Sequence, residues 1–167
     1  MGIEIERKFR VVGEGWRAQA VRSVRIAQGY INDMAALREA RQNASVRVRI
    51  AGDQAFLNLK SRELGRTRQE FDYPVPVADA EALLALCVGG SIDKVRHYVE
   101  VGGRTFEVDE FFGDNAGLVV AELELEAADA PYARPDWLGA EVTDEARYYN
   151  LALAERPYSR WRAEEQA

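Results

Sequence analysis

The charged residues of this chain recur at alternate positions, and several of the resulting sets carry one sign. Glu4 and Glu6 precede Lys8. Arg47 stands two residues from Arg49, Lys60 from Arg62, Lys94 from Arg96 and Glu107 from Asp109. Arg66, Arg68, Glu70 and Asp72 share one parity, as do Glu122, Glu124 and Glu126. The intervening positions are largely apolar, with Ile3, Ile5 and Phe9 beside the first set and Val46, Val48 and Ile50 beside the arginines. Side chains at i and i+2 of a strand emerge about 7 Å apart on one face. Like charges at that spacing repel by roughly 2 kcal/mol at an effective dielectric near 20. A face kept only for solubility has little reason to hold so many like-signed pairs, whereas a cavity for a metal cation and a polyanion does. Carboxylates grouped without His or Cys are hard oxygen ligands, suited to Mg²⁺ or Mn²⁺ and poorly suited to zinc. Grouped Lys and Arg suit phosphate oxygens. That division of labour belongs to phosphoryl transfer. Neither G-x-x-x-x-G-K-[ST] nor G-x-G-x-x-G occurs, so side chains would have to hold the phosphates. The plainer alternative is a one-sided sheet whose charged face is solvated and whose apolar face is the core.

Period-two alternation predicts eight strands over 2–12, 21–31, 44–50, 55–62, 66–75, 91–101, 104–112 and 118–127. Gly52-Asp53, Leu64-Gly65, Gly89-Gly90, Gly102-Gly103 and Gly113-Asp114 punctuate them. Gly102-Gly103, between two strong strands, predicts a tight hairpin. Helices are expected over 78–87, over 143–155 with Thr143 as N-cap, and over 159–165, while 128–138 reads as a connector. Strands this numerous with so few helices predict a mainly β (α+β) fold. The expected architecture is an eight-stranded antiparallel closed β-barrel carrying a few covering helices.

Composition narrows the partners. The 167 residues are 47% hydrophobic and 30% charged, which fits a single globular domain over 1–167. Lys plus Arg number 22 against 28 acids, a net charge of -6 that argues against bulk nucleic-acid binding. Cys87 is the sole cysteine, so neither an internal disulfide nor a thiolate zinc cage can form. The longest apolar run, 82–88, cannot span a bilayer, and the early Glu4 does not fit a signal peptide. A cytoplasmic location is expected. His97, the one histidine, falls on the apolar parity and reads as a packing residue, as do Trp16, Trp137 and Trp161.

The order of these sets resembles the CYTH superfamily, the triphosphate tunnel metalloenzymes. Glu4-Ile5-Glu6-Arg7-Lys8 matches the E-x-E-x-K signature. The match continues through Gln28-Gly29-Tyr30, Arg47-Val48-Arg49, Lys60, Arg68-Gln69-Glu70, Lys94-Val95-Arg96, Glu107-Val108-Asp109 and Ala121-Glu122-Leu123-Glu124. It closes with Gly139-Ala140-Glu141-Val142-Thr143 and Tyr148-Tyr149-Asn150. The resemblance implies a barrel whose lumen is the charged face, so that the apolar parity points outward. Helices, or a second copy of the chain in a homodimer, would then have to cover it. It implies a divalent metal, Mg²⁺ or Mn²⁺, on Glu4, Glu6, Glu122 and Glu124. It implies phosphate contacts from Lys8, Tyr30, Arg47, Arg49, Lys60, Lys94 and Arg96. Glu70, Glu107 and Asp109 would serve as second-metal or water-positioning groups, with Arg62, Arg68 and Glu126 as supports.

The implied reaction is hydrolysis of inorganic triphosphate to pyrophosphate and phosphate. Class IV adenylyl cyclase and thiamine triphosphatase share the implied fold, but few uncommitted aromatics are expected in the lumen to hold an organic group. Outside the family, a non-catalytic polyphosphate-binding module would have no use for the acidic set. A lipocalin-like carrier would need an apolar lumen, which the alternation equally permits. The charged stretch Leu37-Arg38-Glu39-Ala40-Arg41 fits none of the family pattern and reads as a solvated loop or helical turn.

Overall fold

Every alternating segment forms a strand in the computed structural model, which describes residues 5–62 and 69–167. The strands are β1 (Ile5–Val11), β2 (Ala20–Tyr30), β3 (Ala44–Ala51), β4 (Gln54–Ser61), β5 (Glu70–Val75), β6 (Ile92–Val101), β7 (Arg104–Phe111), β8 (Val119–Leu125) and β9 (Leu138–Glu141). All pair antiparallel in the order β5-β4-β3-β2-β6-β7-β8-β1-β9. The expected start of the fifth strand at 66–68 lies outside the described residues. Gly102 and Gly103, at φ 58° and 78°, make the predicted two-residue turn between β6 and β7.

The sheet is rolled. Arg47 on β3 and Lys8 on β1 stand five strands apart in the order, about 24 Å in a flat sheet, yet both line one cavity. The mainly β, barrel-like class is as expected. It is reached with a ninth strand, and no ladder joins β5 to β9 among the described residues. The ninth strand lies at the end of the predicted connector and is four residues long, too short for alternation to show. Gly139 within it is required, because a Cβ there would come within 2.9 Å of the Arg10 carbonyl.

The charged parity faces inward and the apolar parity outward, and the chain covers much of that outer face itself, leaving Val21 on β2 and Phe71 and Tyr73 on β5 exposed. Helix α2 (Val77–Leu84) lays Ala80, Leu83 and Leu84 on Ala27, Val48, Ile50 and Ala55. A single 3-10 turn at Gly15–Gln19 brings Trp16 onto Val99, Val108 and Leu123, and segment 128–138 adds Ala130 and Trp137. His97 packs there too, 4.7 Å from the Trp16 ring, with Nδ1 2.7 Å from the Ser23 hydroxyl. The stretch around Leu37 starts as a helical turn, α1 (Met34–Arg38), capped by the Asp33 carboxylate.

The predicted helix over 143–155 is interrupted. Thr143 caps nothing. Its hydroxyl accepts instead from the Lys8 backbone N–H at 3.0 Å. A 3-10 turn spans Ala146–Tyr148, Tyr149 is extended, and only then does α3 (Asn150–Glu155) begin. The break lets Tyr148 enter a cluster with Ile92, Phe111, Val120, Leu153 and Trp161. Ile92, Phe111 and Val120 have the inward parity, so this cluster is an apolar plug in one end of the lumen. The short α4 (Ala163–Gln166) follows the plug, and its carbonyl at Gln166 accepts from Arg10, another inward residue.

Candidate active site

Ladder register sets which charges meet. β1 lies on β8 with Lys8 opposite Glu122 and Glu6 opposite Glu124. β7 brings Glu107 opposite Glu122 and, on its other side, Asp109 opposite Arg96. β2 sits between the basic strands, placing Gln28 opposite Arg49 and Tyr30 opposite Arg47. The half-open cavity between them, about 420 Å³, is lined by Glu6 and Lys8, by Gln28 and Tyr30, by Arg47 and Arg49, and by Lys94, Arg96 and Glu122. That volume is within the range of small-ligand sites. Tyr149 and Asn150 complete the wall at the plug. Gly90 allows α3 to close on it, since a Cβ there would fall 2.2 Å from the Ala154 carbonyl oxygen.

The cavity has two electrostatic halves. On one side Asp109, 2% exposed, accepts from Lys94 at 2.7 Å and from the Arg96 Nε and Nη2 at 2.8 and 2.9 Å. Burial pushes the Asp109 carboxyl up, but those two cations outweigh it and hold it below its usual 3.8. Arg96 also reaches Glu107 at 2.6 Å and Glu122 at 3.3 Å, and Lys8 reaches Glu122 at 3.0 Å. Across the lumen, the buried Nε of Arg47 and of Arg49 has no acceptor among the described residues. Burial, then repulsion from Arg47 and Arg96, pulls the Arg49 guanidinium below its ordinary proton affinity. Buried guanidinium donors without acceptors mark a place where an anion belongs.

The other predicted residues fall around this centre. Glu124 faces Glu6 across the ladder and is exposed. Lys60 pairs with Glu70 at 3.5 Å on β4 and β5, where Asn58 donates to both Glu70 and Asp72. Glu126 is taken by Arg104, whose hydrogen bonds hold it at about 2. Glu4 and Arg68 lie outside the described residues. Both Asp109 oxygens accept from cations, Oδ1 from Arg96 and Oδ2 from Lys94 and Arg96. Gln28, Tyr149 and Asn150 also line the cavity; in the sequence they belong to the family pattern but carry no assigned role, because nothing local to them signals a partner. More aromatic rings share the inward face than expected. Tyr98 lies under Arg22 at 4.1 Å and Tyr149 under Lys8 at 3.8 Å, while Tyr30 and Phe56 border open space.

The donor set fits a hard divalent cation. Glu6, Glu122 and Glu124 offer only oxygens, and Glu6 directly opposes a like charge, an arrangement that destabilises a strand pair unless something relieves it. Among the described residues no three carboxylates already converge at metal-holding distance. Burial and then Glu122 push the Glu6 carboxyl above its usual 4.5, against the opposing pull of Lys8 and Arg96. Ionised Glu6 therefore destabilises the metal-free protein above its raised pKa, and the penalty fades as pH falls through that value towards 4.5. Glu6→Gln is thus expected to melt higher than the parent near neutral pH and at the same temperature in acid. Thermal scans with chelator across pH check this, and a gain that persisted in acid would show that charge is not its cause.

Comparison with known proteins gives the family. The CYTH domain model matches residues 2–158. An inorganic triphosphatase of Acetivibrio thermocellus is 40% identical over 163 residues, covering 97% of this chain and 99% of that protein. An inorganic triphosphatase of Nitrosomonas europaea is 35% identical, covering 90% of this chain and 96% of its own. A crystal structure of an inorganic triphosphatase superposes with a TM-score of 0.75 at 32% identity, covering 92% of this chain and 95% of that one. Dependence on a metal ion comes with the family. No helix among the described residues is long and apolar enough to cross a membrane. With its motifs in order along the whole fold and its charged face turned inward, the chain belongs to the CYTH family.

Proposed function

We propose that the chain hydrolyses inorganic triphosphate to pyrophosphate and phosphate with Mg²⁺ or Mn²⁺, as a single-domain enzyme of the cytoplasm. The observation that carries this reading is the pair of buried Nε donors of Arg47 and Arg49, without acceptors among the described residues, facing Glu6 and Glu122 across one cavity. A pure polyanion binder would be weakened by those carboxylates. An enzyme that needs a cation beside the phosphates is not. The relatives that share nearly the whole chain are named for this activity.

Arg47 and Arg49 hold the substrate by charge-assisted hydrogen bonds, and Lys8 and Arg96 reach it from the acidic side. Lys60, paired with Glu70, extends the basic wall. Glu6, Glu122 and Glu124, with Glu4, would hold the metal, and a divalent ion there would supply positive charge against the phosphate oxygens and the leaving group. Glu107, opposite Glu122 and with Arg96 as its cation, orients the attacking water in this reading; burial pushes its carboxyl up despite Arg96. Glu70 stands farther along the same face and supports Lys60. The chain's own segments cover most of the outer apolar face, and a homodimer would cover the exposed Phe71 and Tyr73 of β5, while the net charge disfavours nucleic acid.

The test is phosphate release from tripolyphosphate, ATP and thiamine triphosphate with Mg²⁺, with Mn²⁺ and with chelator. Release that needs the metal and is fastest with tripolyphosphate is expected. Pyrophosphate from ATP without phosphate release would make it a cyclase, and no reaction with any of the three would leave a binding module.

A further inference from the structure

We propose that Tyr149 is a positioning residue for this reaction, holding the Lys8 ammonium at the cavity floor by its ring face. The inference rests on the triphosphatase reading, in which Lys8 acts on the phosphates.

Lys8 is 4% exposed, so its ammonium must find every partner within the protein. It has three. Nζ lies 3.0 Å from the Glu122 carboxylate, 3.3 Å from the Tyr148 carbonyl and 3.8 Å from the centre of the Tyr149 ring. The ring is itself fixed, because the Tyr149 hydroxyl donates to the Thr143 carbonyl at 2.7 Å. The same Thr143 accepts from the Lys8 backbone N–H at 3.0 Å, and Val142 donates to the Lys8 carbonyl at 2.8 Å. Backbone and side chain of Lys8 are thus tied to one short segment, and Tyr149 is the part of it that faces the cavity.

The choice of an aromatic ring has a physical reason. A second carboxylate at this position would hold Lys8 more strongly, but its full charge would repel a polyanion throughout the cavity. A ring quadrupole attracts the ammonium at contact distance and carries no net charge. Tyr149 therefore steadies the lysine without weakening the substrate. The interrupted helix explains how the ring gets there, since continuing helix from Thr143 would not leave Tyr149 in the extended conformation it adopts.

The experiment compares Tyr149→Leu and Tyr149→Phe with the parent, using tripolyphosphate and metal. Leu removes the ring and should lower kcat about tenfold while KM stays within about twofold. Phe keeps the ring and should retain most of kcat. Equal kcat in Leu and parent, or equal damage in Phe and Leu, would overturn the proposal. A second measurement is independent of turnover: proton NMR of the Lys8 ε-methylene. Ring-current displacement upfield is expected in the parent and in Tyr149→Phe and should vanish in Tyr149→Leu. If the parent released no phosphate, the triphosphatase reading would fall while the NMR arm still judged the contact. If Tyr149→Leu failed to fold, an undisplaced Lys8 signal in the parent would be decisive against it, and a displaced one retained in Tyr149→Phe would sustain it.

Discussion

Asp109→Asn is expected to lower the thermal midpoint by about 10 °C at neutral pH, the size of shift that a loss of about 3–5 kcal/mol produces in a chain of this length. The substitution barely changes shape. It removes the one negative charge lying between Lys94 and Arg96, whose side chains are 3% and 16% exposed. Water cannot replace the carboxylate, and an amide nitrogen would point a donor at groups that can only donate. Two cations would then be left near each other, Arg96 with Glu107 and Glu122 as its remaining counterions and Lys94 with only the Asn150 amide oxygen at 3.4 Å.

The pH dependence separates this account from simple loss of packing. The carboxyl is held below its ordinary 3.8, so the stability it contributes is fully present above that value and is lost as pH falls through the lower folded pKa. Parent and variant should therefore differ by a constant amount from neutral pH down to about 4 and converge only in stronger acid. Tripolyphosphate should also raise the midpoint of the variant more than that of the parent, because the substrate supplies the charge that was removed. A midpoint within about 2 °C of the parent would show that Arg96 and Lys94 do not depend on Asp109.

Part of this arrangement is legible in the sequence. Strand alternation is fixed by backbone geometry, so the assignment of Lys94, Arg96, Glu107 and Asp109 to one face follows from spacing alone. Their pairing is one step further away. Counting outward from the Gly102-Gly103 turn puts Arg96 opposite Asp109 and Tyr98 opposite Glu107, as observed. The position of that turn is therefore enough to match the charges across the hairpin. The apolar plug and the Tyr149 contact have no such local marker. They join β1 and β6 to a segment far along the chain, and the local pattern there favours an unbroken helix. Burial of Tyr148 and the bonds to Lys8 and Thr143 override that propensity. The same limit hides the cover given by Trp16 and by segment 128–138. These residues have no regular period, and their role depends wholly on the outer face they meet.

Arg49→Met is expected to make the ligand-free protein more stable and the enzyme worse. The Arg49 Nε is buried with no acceptor among the described residues, and Arg47 on the same strand face adds repulsion. An unsatisfied buried donor of this kind costs about 1–3 kcal/mol, and methionine fills the side-chain path as far as the Nε position without a donor there. The midpoint without substrate should rise by several degrees. Tripolyphosphate affinity should fall about 100-fold, the loss expected when a guanidinium makes two charge-assisted bonds worth about 1.5 kcal/mol each. Glu6→Gln raises stability by the same logic from the opposite wall, where the missing partner is a cation. The two substitutions together would show the empty cavity to be strained by both signs of charge and relieved when metal and triphosphate enter together. Calorimetric titration and thermal scans on the same Arg49→Met sample decide the matter. A less stable variant that bound tripolyphosphate as the parent does would mean that Arg49 is structural, and the anion site would have to be placed elsewhere.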